Sequence, residues 1–175
     1  SKAIQHFEKA LSILDVINYN TDNWSLDISR NMAICYDNLA QYDKAKSIIE
    51  DTIRRKQQFL GEEHPALIND NTMLGNLHQK LGHIQDHLTI SKNNYELARK
   101  FYNINKSSFT YIILNYIYAL NHHGSYNQAL AVLDDTITSE LTNNLLRGLQ
   151  LNARGTTFDN LGLHQQAFAS FEESY

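Results

Sequence analysis

Four short segments of this chain carry the same pattern at nearly the same interval, and this limits its architecture more than any other feature. The segments beginning at Tyr36, His78, Leu120 and Phe158 align. Their small central residues Ala40, Gly82, Gly124 and Gly162 are separated by 42, 42 and 38 positions. Ala3 lies 42 positions before Ala45 in the same frame. Periods of about 20–50 residues mark units that cannot bury their own apolar faces and therefore stack on neighbours.

Each shared position has a local reason. Glycine ends a helix in the left-handed conformation without a Cβ penalty. Five residues later Ala45, Ala129 and Ala167 open a second helix with a side chain small enough for close crossing. Before each turn, apolar residues recur at helical spacing, as in Ile113, Tyr116, Ile117 and Leu120; after it come Ala45, Ile48, Ile49 and Ile53. Each unit is thus a pair of antiparallel helices, and the chain is predicted to be all-α, an α-solenoid of stacked helical hairpins. The frame predicts helices near 1–17, 25–39, 42–59, 65–81, 84–102, 107–123, 126–139, 142–161 and 164–175. It makes residues 1–175 one array: a partial repeat over 1–20, then repeats at about 25–63, 65–105, 107–140 and 142–175. The short last interval should trim a helix or its loop by about one turn.

Composition excludes several classes. A net charge of -4 leaves no basic stripe to displace counterions, which argues against nucleic acid. No apolar run approaches the roughly 18 residues of a spanning helix, and no signal-peptide pattern opens the chain, so no membrane partner is expected. The single cysteine, Cys35, rules out an internal disulfide framework and fits a reducing, cytoplasmic compartment. The chain lacks an initiator methionine and begins as if within a helix, so a fragment of a larger protein is expected.

The framework of Leu/Gly, Tyr and Gly-x-Tyr-x-x-Ala around the turns resembles the tetratricopeptide repeat, and the 42-residue period resembles its kinesin-light-chain-type variant. The run Leu60, Gly61, Glu62, Glu63, His64, Pro65 is similar to that family's inter-repeat linker, and Asn31-Met32-Ala33 to its first-helix Asn-Leu-Ala. The resemblance implies a right-handed superhelix acting as a non-catalytic scaffold for protein partners, with no cofactor. Departures from the pattern are Asn71 and Arg154 at usually apolar positions and His87 where a small residue is usual.

In proteins of this kind the first helices line a concave groove. Carried over by register, the groove positions here include Arg30, Asn31 and Asn38 in the first full repeat, and Asn69 and Asn76 in the second. The third supplies Tyr111, Asn115, Tyr118 and Asn121, and the fourth Asn152. Eight of the chain's 19 asparagines fall on the predicted groove face. A carboxamide donates and accepts together, so a row of them can grip an extended peptide backbone of any sequence. Tyr111 and Tyr118 would add apolar anchors. Asn38 and Asn121 also stand just before turns, where Asn helps to end a helix. The basic positions that grip a chaperone's terminal carboxylate in other tetratricopeptide proteins hold Thr72, Leu149 and Ala153, so that ligand is not expected.

Signals for other chemistry are weak. His83 and His87 are spaced four apart like helical zinc ligands, but no third ligand is set by the spacing, so no metal site is assigned. Cys35 lies among apolar neighbours and reads as an inert thiol. No phosphate loop, nucleophile elbow or dinucleotide fingerprint occurs, so the chain is not read as an enzyme. The resulting expectation is an interaction module whose groove binds a protein or extended peptide; the rival is a peptide-sensing regulatory domain, or a regulatory arm of a larger enzyme or bacterial effector. Oligomeric state is unknown from sequence.

Overall fold

The computed structural model describes residues 2–16, 23–101, 107–136 and 144–174, and among these all regular structure is helical. They form two compact units, Ser1–His83 and Ile84–Tyr175. The first holds α1 (Lys2–Val16), α2 (Asn23–Asn38), α3 (Tyr42–Leu60), a single 3-10 turn (Pro65–Leu67) and α4 (Ile68–Lys80). The second holds α5 (Ile84–Phe101), α6 (Ser107–His122), α7 (Tyr126–Thr136), α8 (Asn144–Asn160) and α9 (His164–Glu173). The predicted helices are all present within a few residues. The last residues expected for α7, 137–139, lie outside the described residues, as does the predicted start of α8 at 142–143.

The turns close in one way. Ala40, Gly82, Gly124 and Gly162 all have positive φ, between 56° and 80°. At each, the next amide donates to a carbonyl five residues back: Gln41 to Tyr36, His83 to His78, Ser125 to Leu120 and Leu163 to Phe158, at 2.8–2.9 Å. That closure satisfies carbonyls orphaned at a helix end and reverses the chain in three residues. The repeat interval found in the sequence is the spacing of this one backbone device.

The segment Leu60–Leu67 departs from a single predicted helix at 65–81. Gly61, at φ 86°, stops α3. His64 then accepts a 3.2 Å bond from the Ala66 amide through Nδ1, and Pro65 opens a 3-10 turn rather than the α-helix proper. Proline suits this place because its missing N–H would be an orphan donor anyway.

In the first unit α2 packs on α3 and α3 on α4, with Ala33, Ala45, Ile49, Ile53, Leu67 and Leu77 forming a buried cluster. Each fully buried Ile or Leu contributes about 1.5–3 kcal/mol. In the second unit α6 meets α5, α7 and α8, and Ile113, Ile117, Leu120, Leu133 and Leu151 are almost entirely enclosed. Tyr95 stacks on Phe109 and Tyr116, with ring centroids 6.1 and 5.2 Å away, tying α5 to α6. Burial raises the phenol pKa of both tyrosines; Arg99 beside Tyr95 partly opposes the shift there. Gly155 lets α9 close on α8: a Cβ there would lie 2.5 Å from the Phe171 ring.

Candidate functional site

On α2, burial of Leu26, Ser29 and Ala33 leaves the opposite stripe to solvent: Trp24, Asp27, Asn31, Ile34 and Asn38. These spacings of three and four define one helix face. Asn31 and Asn38 are exposed on it, and so is Trp24, which the sequence reading did not single out. On α4, Asn69 is exposed and Asn76 half-buried.

Arg30 is committed elsewhere. Its Nε lies 3.1 Å from Oδ1 of Asp70, a fully buried carboxylate on α4, and the other carboxylate oxygen accepts a 2.6 Å bond from Lys56 Nζ on α3. The guanidinium that sequence register assigned to a partner instead balances an internal anion. Asp37 is likewise engaged: Lys80 Nζ donates to both its oxygens at 2.6 and 2.7 Å and sits over the Tyr42 ring. Nothing in the linear pattern marks Asp70 or Lys56, because the pair spans 14 residues and two helices.

α6 has a sharper division. Ile112, Ile113, Tyr116, Ile117, Ala119 and Leu120 are buried, while Tyr111 and Tyr118 are 56% and 51% exposed. Asn115 lies half-buried between them on the same stripe, and the His122 ring stands 4.4 Å from that of Tyr118. The sequence Ser107–His122 contains no Asp, Glu, Lys or Arg. α8 packs against α6 and exposes Asn152, whose carbonyl accepts from Thr156 Oγ1 at 3.0 Å. Asn121, also predicted to face the groove, points its Nδ2 into Thr157 Oγ1 of α8 at 3.0 Å and so acts as an interhelix tie.

The histidine pair singled out in the sequence is separated by burial. His87 is enclosed on α5, filling the place expected for a small residue, whereas His83 is exposed. His83 Nδ1 lies instead 3.3 Å from His78 Nδ1, one imidazole donating and the other accepting. Cys35 is half-buried and free.

No family model matches the chain, and no curated protein matches it. Solved structures do. The nearly identical TPR-like repeats of a Podosopora anserina kinesin-light-chain-type protein superpose with a TM-score of 0.89 at 16% identity, covering 99% of this chain and 84% of that one. BtubC (BKLC) from P. vanneervenii gives 0.76 at 14% identity, with coverage of 97% and 72%. YrrB, a TPR protein with an unusual peptide-binding site, gives 0.65 at 18%, with coverage of 99% and 78%. At such identities the likeness speaks for architecture. No described helix is long and apolar enough to cross a membrane. Helical hairpins, a shared turn closure and these superpositions lead to one conclusion: the fold of this chain is the tetratricopeptide-type α-solenoid.

Proposed function

We propose that this chain is a non-catalytic interaction scaffold that binds an extended peptide segment of a protein partner on its first-helix faces, in a reducing, cytoplasmic setting. The observation that carries the proposal is the α6 stripe, where two large aromatic side chains stay more than half exposed on a helix whose opposite side is buried. Tyrosines so placed give contact area at low entropic cost and a hydroxyl for a backbone partner. Asn115 beside them and Asn152 on α8 offer carboxamides without charge; in the first unit, taken by itself, Asn31 and Asn38 of α2 and Asn69 and Asn76 of α4 do the same. The likeness to YrrB, whose description includes a peptide-binding site, supports the same reading.

The test is selection of uncharged peptides from a random display library, followed by calorimetric titration of the recovered sequence. Tyr118→Ala should weaken binding at least tenfold, which is about 1.4 kcal/mol, and Asn115→Ala by a smaller factor, with melting temperatures unchanged. Unaltered affinity in both variants would move the binding surface away from α6.

A further inference from the structure

We infer that the α6 face takes one class of peptide: an uncharged, proline-rich segment in the polyproline II conformation. The inference rests on the peptide-binding reading above and adds the ligand's backbone geometry. Tyr111 and Tyr118 are seven residues apart on one helix, two turns, which places them about 10.5 Å apart along the axis. A polyproline II chain returns a side chain to the same side every third residue, about 9.3 Å on. A β-extended peptide does so every second residue, about 6.7 Å on, and falls out of step with the two rings. Proline rings laid on tyrosine faces are the usual apolar contact for such chains.

Asn115 distinguishes the remaining competitor. An amphipathic helix could also match two turns of α6, but its backbone carbonyls are internally bonded, so only its side chains could meet the Asn115 carboxamide. A polyproline II backbone has no internal hydrogen bonds, so its carbonyls are free to accept from Asn115 Nδ2 and from the tyrosine hydroxyls. The ring of His122, 4.4 Å from that of Tyr118, braces the second anchor.

Charge complementarity points the same way. α6 carries no Asp, Glu, Lys or Arg. On the adjoining α8, Arg147 is paired with Glu173 and Arg154 with Asp134, and Asp159 Oδ1 lies 2.9 Å from His164 Nδ1. With no charge on α6 itself and both of these arginines engaged by carboxylates, the face offers an acidic or basic ligand little to recognise. The aromatic pair belongs to α6 alone among the first helices: the equivalent positions hold Asp27 and Ile34, Asn69 and Asn76, and Leu149 and Thr156.

Three end-capped, uncharged probes test this on the full chain: nonaproline, a nine-residue alternating Val/Thr peptide, and an Ala/Gln-rich helical peptide. Nonaproline should bind, should lose at least tenfold in affinity with Tyr111→Ala and with Tyr118→Ala, should lose less with Tyr118→Phe, and should be indifferent to Ile34→Ala. Tyrosine-dependent binding of the Val/Thr probe in place of nonaproline would overturn the polyproline inference and leave the extended-peptide reading standing, whereas such binding of the helical probe would overturn both and keep only α6 as the binding face. If no probe binds in a tyrosine-dependent way, both fall. Melting curves of each variant separate lost contact from lost folding.

Discussion

Lys56 Nζ lies 2.6 Å from Oδ2 of Asp70, and the carboxylate is 1% exposed. Arg30 closes on the other oxygen at 3.1 Å, so one buried anion holds α2, α3 and α4 together. Removing one member of a buried pair leaves an uncompensated charge, at a cost of about 3–5 kcal/mol. Asp70→Ala should therefore lower the urea midpoint sharply. Lys56→Met combined with Asp70→Leu should be less damaging than the sum of the single changes, because the strain is the unpaired charge rather than lost attraction.

Gln150 stands 12 positions before its turn glycine, as Asp70 does before Gly82, and is also fully buried. Here no cation meets it: both Oε1 and Nε2 are without a hydrogen-bond partner among the described residues. Leu114 stands where Arg30 stands in the earlier frame, ten positions before the preceding turn residue. Gln150→Met keeps the shape and removes both stranded groups, so it should raise stability by about 1–2 kcal/mol in urea denaturation.

Ala40 performs a glycine's task at φ 56°. An L residue in the left-handed region is strained by about 1–2 kcal/mol, part of which glycine returns through the entropy of its unfolded chain. Ala40→Gly should thus gain about 0.5–1 kcal/mol. Gly82→Ala should lose a similar amount, since its added Cβ meets nothing within 4 Å and the penalty is backbone conformation alone. Paired thermal melts of the two variants check the opposite signs.

Tyr95 sets an alkaline limit. Burial raises its phenol pKa above the ordinary value of about 10. The unfolded chain then ionises first. The stabilising contribution is complete below about pH 10 and is lost as pH rises through the raised folded value. Tyr95→Phe removes this ionisation in both states. Its urea midpoint should fall less between pH 8 and pH 11 than that of the wild-type protein; equal falls would assign the alkaline loss to other groups.

Much of the fold could be read from the linear pattern because each of its determinants is local. A positive φ at a turn, an apolar stripe at helical spacing and an alanine at a crossing need no knowledge of distant residues. They are enough to define hairpins at a 42-residue interval, and they place Asn31, Asn38, Tyr111 and Tyr118 on exposed stripes. Which polar side chains remain available is a different matter. Arg30 turns to Asp70 across 40 residues, Lys80 to Asp37 across 43 and Asn121 to Thr157 across 36. Those choices depend on how far one helix slides and rotates against another, to within a few tenths of an ångström in a hydrogen bond. The sequence by itself determined the repeat, the turns and the exposed stripes of α2 and α6. Only tertiary packing decided which of those outward residues are spent on neighbouring helices, because a side chain's partner is set by the crossing of two elements and not by its place in either one.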